Sequence, residues 1–330
     1  MQTKLLQFTD EDLRIAGQLI RDGKLVAFPT ETVYGLGANA LDVAAVKSTY
    51  VAKGRPSDNP LIVHVWHKEQ ILDIAEYISP DAEKVIDNLM PGSVTIVLPK
   101  KSVIADCITA GLPTVAIRMP LSVQAREFLR YADVPVTAPS ANTSSRPSPT
   151  TWQRVAEDMD GKISAILCGD NCQVGIESTV LDLTGDEPRI LRPGVVTSEM
   201  LSELLGKPVP VITDPKSKVN SPGVKYKHYA PNVPMALDLT ADTQKLADYY
   251  DKLVAEGHNP VLLVEHPELF GARNTWQIGQ TDQAVAQNLF ENLRLLEKQY
   301  DYIIASYSSH TEFADSILNR LIRSASHHVI

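Results

Sequence analysis

Residues 53–64, KGRPSDNPLIVH, restrict this chain more than any other stretch. Lys53 and Arg55 stand two apart, with Gly54 between them and Pro56 after them. Arg55 offers a planar fork of donors suited to phosphate, and Lys53 a compact point charge. Gly54 lets backbone approach closely, while Pro56 and Pro60 stiffen the chain. Residues 61–65, LIVHV, then read as a buried strand that carries His64. A rigid basic loop between a helix and a strand suggests an anion site, most simply for phosphate. The competing reading of these residues alone is a solvated surface turn.

The anion site has to be local, because the 330-residue chain is acidic overall, with a net charge of −9. That balance argues against wrapping nucleic acid, which needs a basic footprint. The length suggests two domains. Hydrophobic content of 44% and charged content of 22% fit an ordinary soluble globular protein. No apolar run approaches the ~20 residues that span a membrane, and the first residues, MQTKLLQFTDEDL, lack an apolar signal core. A cytoplasmic protein with no membrane contact is expected. Cys107, Cys168 and Cys172 suit a reducing compartment better than a disulfide framework. No second pair stands at zinc spacing, so no metal site is expected there.

Along the chain, residues 11–21 have helical spacing, with Asp10 as cap and Gly23 as stop. A short strand at 25–28 runs into PTETVYGLG at 29–37, read as a loop dense in hydroxyls with a carboxylate, a phenol and two glycines. A helix over 42–52 delivers Lys53 and Arg55. Further helices are expected over 67–77 and 79–90, and strands over 93–98 and 114–120. Arg118 lies near the end of the latter, and an arginine on an apolar strand makes either a buried ion pair or a ligand contact. VPVTAPSAN at 134–142 again ends a strand in small and hydroxyl residues, and Ser140 and Asn142 can donate to an anion without adding charge. A Ser/Thr/Pro-rich loop then leads to a helix from Trp152. Strands follow at 165–167, after 175–178, and at 190–192. Thr30, Thr32, Arg118, Ser140, Asn142, Ser178 and Arg192 thus sit at separate strand ends. If they converge, they line a broad cleft suited to a nucleotide and a small amphoteric partner.

After Gly206 the pattern changes. Residues 207–232 form a linker that ends in SPGVKYKHYAP at 221–231, too basic and aromatic for a plain spacer. A lid over the cleft is expected. Residues 233–330 alternate strand and helix, which implies a small, mostly parallel α/β domain. It has no GxGxxG or Walker pattern.

Taken in order, PTETVYGLG, KGRP with NPLIVH, TVAIRMP (114–120), APSAN (138–142), ESTV (177–180), LRPG (191–194) and SPGVKYKHYAP resemble the YrdC-like family, and within it the two-domain threonylcarbamoyl-AMP synthases. Each motif is weak alone; the ordered set is specific and runs through most of the chain. The resemblance implies a catalytic domain at 1–206 built on a large, twisted, mixed open sheet with flanking helices and a concave cleft. It also implies a lid-bearing linker at 207–232 and a small Rossmann-like domain at 233–330. The implied reaction takes L-threonine, bicarbonate or carbon dioxide, and ATP to L-threonylcarbamoyladenylate and pyrophosphate, with Mg2+ carried by the ATP phosphates. The product is implied to pass to a separate tRNA threonylcarbamoyl transferase complex that modifies the adenine beside the anticodon, with tRNA contact weak or indirect.

By the same resemblance, Thr32, His64, Arg118, Ala138 and Ser178 hold threonine. Arg55, Asn59, Thr114, Ser140, Ser148 and Arg192 hold ATP, with Tyr229 reaching in from the linker. Lys53, Arg55, Ser140 and Asn142 form the catalytic set. The chemistry suits such residues, since transfer at phosphorus rests on alignment and charge stabilisation. Two other readings compete. One is a double-stranded RNA- or tRNA-binding module without chemistry, which the net charge disfavours. The other is a carbamoyltransferase that builds metal-centre ligands, whose added zinc-finger cysteine pairs this chain lacks.

Overall fold

The computed structural model describes residues 2–212, 228–308, 311 and 313–330, which divide into two compact units. The first unit is built on ten strands: β1 (Lys4–Leu6), β2 (Val26–Phe28), β3 (Gly35–Asn39), β4 (Ile62–His64), β5 (Val94–Pro99), β6 (Thr114–Arg118), β7 (Val136–Thr137), β8 (Ala165–Leu167), β9 (Thr179–Asp182) and β10 (Arg189–Arg192). They form one mixed sheet in the order β1-β8-β2-β3-β7-β4-β6-β5-β9-β10. Eight helices flank it: α1 (Asp10–Arg21), α2 (Val43–Lys53), α3 (Glu69–Ile74), α4 (Pro80–Leu89), α5 (Asp106–Thr109), α6 (Val123–Ala132), α7 (Trp152–Met159) and α8 (Ser198–Leu205).

The helices start where hydroxyl or carboxylate side chains cap them. Thr9 accepts from the Asp12 amide, Asp42 from Ala44 and Ala45, Ser79 from Ala82, and Thr151 from Arg154. Thr9, and not the expected Asp10, therefore caps α1, because its extended backbone frees the hydroxyl to turn back on the helix.

Alternation along the strands sorts the core. Val26 and Phe28 of β2 pack with α1 and α6, whereas Ala27 packs with α2 and α7. On the other half of the sheet, Val63, Val94, Ile96, Leu98, Val115, Ile117 and Leu181 pack against α3, α4 and α8. The intervening residues Ile62, Val97, Ala116, Val180 and Leu191 make a small separate cluster on the opposite face, with Ile212 packed against it.

The motif expected to be a loop throughout, PTETVYGLG, is a loop only to Tyr34. Gly35–Asn39 is the inner strand β3, antiparallel to both β2 and β7. Its glycines hide it from propensity reasoning, which credits branched and aromatic residues. They are there for space: a Cβ on Gly37 would stand 2.9 Å from the Val26 carbonyl oxygen.

The second unit comprises residues 226–330 together with 145–147 and 174–176. Its strands β11 (Met235–Asp238), β12 (Pro260–Val264), β13 (Thr275–Gln277) and β14 (Tyr302–Ser306) form an all-parallel sheet in the order β11-β14-β12-β13. Helices α9 (Thr243–Ala255), α10 (Asp282–Leu296) and α11 (Ala314–Ser324) accompany it. Short segments from within the span of the first domain join this unit through polar ties. The fully buried Arg294 donates from Nε (3.0 Å) and Nη2 (2.7 Å) to the Pro147 carbonyl, and Arg146 pairs with Glu297 at 2.5 Å. Most of the expected lid, residues 213–227, lies outside the described residues. No described helix is long and apolar enough to cross a membrane.

Packing of α1 against α6 generates a stability prediction. A Cβ on Gly17 would stand 2.3 Å from the Tyr131 carbonyl oxygen. In an isolated helix Gly→Ala gains up to about 1 kcal/mol. Here overpacking should outweigh that gain, so Gly17→Ala should destabilise by about 1–3 kcal/mol. A lowered urea midpoint at unchanged slope is the expected result.

Candidate active site

The sheet face that carries this small cluster is where the polar strand ends meet. Side chains two apart share a face, so Thr114, Ala116 and Arg118 of β6 point the same way. The same rule aligns Ile62 with His64, Thr95 with Val97, and Ser178 with Val180. Strand register then sets these sets side by side: His64 pairs with Arg118, Ile96 with Ile117, and Thr95 with Val180. The result is an apolar floor of Ile62, Val97, Ala116, Val180 and Leu191, with polar residues where the strands end.

Arg192 reaches this face by an irregularity. Ile190 pairs with Leu181 but Arg192 pairs with Val180, so two residues of β10 oppose one of β9. That bulge turns Arg192 to the face of Val180 instead of the buried side of Ile190. Its Nε and Nη2 both donate to the Ser178 carbonyl, at 3.1 and 3.0 Å. Nη2 also reaches Ser178 Oγ at 3.2 Å, and that hydroxyl shares a 2.8 Å hydrogen bond with Thr95. Arg192 and Ser178, expected to hold different substrates, are thus one cluster.

At the ends of β4 and β6 lies a second cluster. Arg118, only 4% exposed, donates from Nη2 to Glu31 Oε1 at 2.5 Å and from Nη1 to Thr32 Oγ1 at 2.8 Å. Thr32 shares a further bond with Thr30 at 2.9 Å. Glu31 also accepts from Ser93 Oγ and from the Leu121 and Ser122 amides. Burial pushes the Glu31 carboxyl up, but the Arg118 charge and these hydrogen bonds outweigh it and hold the group below its ordinary value. Beside Arg118, burial first and the guanidinium second pull His64 down to about 3, so its ring is neutral. His64 Nδ1 and Arg118 Nε are buried without a hydrogen-bond partner among the described residues.

The basic loop supplies a third cluster. α2 ends at Gly54, whose φ of +60° is the left-handed turn that glycine takes most easily. Lys53, 2% exposed, donates from Nζ to the carbonyls of Ser140 and of Asn142, the latter at 2.8 Å. It therefore braces the Ser140–Asn142 loop as well as carrying charge. Arg55 donates to the Asn59 carbonyl at 3.3 Å. The Asn59 carboxamide is 1% exposed, and neither its nitrogen nor its oxygen has a partner. Asn59 lies just before β4, and the Ala138 amide donates to the Ile62 carbonyl at the start of that strand. Thr114 opens β6, four residues from Arg118 and so about 13 Å away along the strand. Ser148 is buried and donates to Glu177 at 2.6 Å. Tyr229 belongs to the second unit, where it stacks on Phe290 at 5.1 Å.

Sequence reasoning gave no role to Glu31, Ser93, Thr95 or Glu177. The first and last stand beside predicted site residues, and each is a carboxylate in an otherwise uncharged motif. Ser93 and Thr95 carried no signal beyond their place on a strand.

Comparison with known proteins fits this geometry. Residues 18–194 match the family described as "Telomere recombination" (Sua5, YciO and YrdC), and residues 196–326 match the "Threonylcarbamoyl-AMP synthase, C-terminal domain". The chain is 40% identical to the threonylcarbamoyl-AMP synthase of Pyrococcus abyssi over 96% of its own length and 95% of the relative's. This chain belongs to the threonylcarbamoyl-AMP synthase family. It is also 40% identical to the Bacillus subtilis synthase, over 99% of this chain and 97% of that one. Among solved structures, P. abyssi Sua5 complexed with L-threonine superposes with a TM-score of 0.94 at 38% identity, covering 100% and 99% of the two chains. The expected class, a large mixed sheet with flanking helices plus a small parallel α/β domain, is the fold found.

The neutral state of His64 is testable. Its ring protons should show no titration between about pH 5 and 8 by NMR, unlike an exposed histidine. Because the folded value lies below that of the unfolded chain, protonation favours unfolding. His64 therefore costs stability as pH falls from about 6.5 towards 3. Replacing it by Gln should reduce the acid slope of unfolding free energy by up to about 1.4 kcal/mol per pH unit.

Proposed function

We propose that this chain joins L-threonine, bicarbonate or carbon dioxide, and ATP into L-threonylcarbamoyladenylate, releasing pyrophosphate. The observation that carries the reading is a set of buried polar atoms without partners among the described residues: the Asn59 carboxamide, His64 Nδ1 and Arg118 Nε. Buried polar groups are normally paired, so atoms such as these, gathered around the polar strand ends, support a ligand there. They lie towards opposite ends of β4, as a two-substrate site requires. The complex of the P. abyssi relative with L-threonine supports the same assignment.

In this reading Arg118 pairs with the threonine carboxylate, and neutral His64, Thr32, Ala138 and Ser178 shape the rest of that pocket. Arg55, Asn59, Thr114, Ser140, Ser148 and Arg192 hold ATP over the apolar floor, and the family resemblance adds Tyr229 of the linker. The threonine amine adds to the carbon of carbon dioxide and loses a proton, or condenses with bicarbonate and loses water. An oxygen of the resulting carbamate attacks the α-phosphorus, and the bond to the β-phosphate oxygen breaks. Lys53 and Arg55 offset the charge that builds on the phosphates, while Ser140 and Asn142 orient them. No protein nucleophile is needed. Magnesium would ride on the phosphates and neutralise them. The cleft's own carboxylates, Glu31 and Glu177, already accept from Arg118 and Ser148, and no group of three or more His, Cys, Asp or Glu gathers among the described residues.

The linker at 207–232 would act as a lid that keeps water from a hydrolysable adenylate. The product would pass to a tRNA threonylcarbamoyl transferase complex, with tRNA itself touched weakly or not at all, in a cytoplasmic setting.

Pyrophosphate release from ATP and magnesium tests this directly. Release should require both threonine and bicarbonate; release that needs neither would leave a plain pyrophosphatase. Within the site, Arg118→Lys should weaken threonine binding about 10-fold or more with little effect on ATP, since lysine lacks the bidentate edge. Equal loss for both ligands would place Arg118 elsewhere.

A further inference from the structure

We propose that Glu31 is the positioning residue for threonine recognition, locking the Arg118 guanidinium so that its Nε–H is presented to the substrate carboxylate. This rests on the threonine assignment above and deepens it.

Four donors, from Ser93 and from the stretch 118–122, converge on this one carboxylate. Oε1 accepts from Arg118 Nη2 at 2.5 Å and from Ser93 Oγ at 3.0 Å. Oε2 accepts from the amides of Leu121 at 3.0 Å and of Ser122 at 3.3 Å. Ser122 caps α6, so this oxygen sits where a helix start favours negative charge. Arg118, Ser93, Leu121 and Ser122 all lie more than sixty positions further along the first unit, and Glu31 is 6% exposed. Anchored on Oε2, it fixes one corner of Arg118 through Oε1, while Thr32 fixes a second corner through Nη1. A guanidinium held at two terminal nitrogens is fixed in plane, and its Nε–H has no partner among the described residues. Glu31 further offsets the Arg118 charge, so a buried cation persists in the absence of substrate.

Two effects of neutralising Glu31 oppose each other. Removing the anion leaves Arg118 more attractive to a carboxylate. Yet a glutamine has one acceptor and one donor where the carboxylate accepts four bonds. Its NH2 must face either the Leu121 and Ser122 amides or Ser93 and Arg118, so one side comes apart. Recognition through one N–H of a guanidinium depends on where that group is held, so loss of placement should prevail.

The experiment is calorimetric titration of the full chain with L-threonine and, separately, with ATP, for the wild type, Glu31→Gln and Ser93→Ala. Glu31→Gln should weaken threonine about 10-fold or more while ATP changes less than about 2-fold. Ser93→Ala removes one bond to Glu31 without touching Arg118, and should weaken threonine about 2- to 5-fold, again sparing ATP. A merely structural role would lower both affinities together. Unchanged or tighter threonine binding in a folded Glu31→Gln variant overturns the proposal, as does equal loss of both ligands. If Glu31→Gln does not fold, Ser93→Ala decides, and unaltered threonine affinity there overturns it. A wild type that binds ATP but no threonine defeats the functional reading itself, and this inference with it.

Discussion

The ion pair between Glu31 and Arg118 is the constraint on which the active-site half of the first unit depends. Both groups are almost fully buried, at 2.5 Å, and each would be costly alone. Removing one partner of such a pair typically costs about 3–5 kcal/mol, because the other charge is left stranded. The pair survives because the remaining lone pairs are filled by Ser93, Leu121 and Ser122 and a further guanidinium donor by Thr32. Those bonds join the loop after β2, the start of β5, the end of β6 and the approach to α6. The same contacts that make the charges tolerable also order the strand ends that carry chemistry.

Around that pair, the sheet works as a template with two different faces. One face of β4, β6, β5 and β9 is sealed by α3, α4 and α8 and is uniformly apolar. The other has small and branched residues at mid-strand, with Arg118, His64 and Ser178 at one end and Thr114 at the other. Strand alternation supplies an apolar bed and polar extremities from one set of segments, the arrangement on which the proposed nucleotide site rests. The bulge in β10 adds Arg192 to this face, which regular pairing would have turned into the core.

How far this was legible differs from residue to residue. α2, with Asp42 as cap and Gly54 as stop, could be read directly, because capping chemistry is local. β3 was not, since glycines chosen for close packing carry no strand signal of their own. Arg118 was left open between an ion pair and a ligand contact. It makes the pair with Glu31, and its Nε remains for a ligand, so neither half of that alternative excludes the other. Lys53, read only as a charge for phosphate, spends two donors on the carbonyls of Ser140 and Asn142. The family resemblance grouped Lys53 with Ser140 and Asn142, but only the fold shows that it braces their backbone carbonyls.

The sequence by itself determined what depends on neighbours along the chain: helix caps, strand alternation, the rigid basic loop, the change of pattern after Gly206, and an ordered set of motifs specific enough to mark the family. Tertiary structure alone decided what depends on neighbours across it. Strand order put Arg118 beside His64, a single extra residue aimed Arg192, and a carboxylate with no assigned role became the fixed point that holds Arg118. The physical reason is one of range. Propensity and capping act over a few residues, whereas desolvation makes a buried charge demand partners from wherever the fold can bring them.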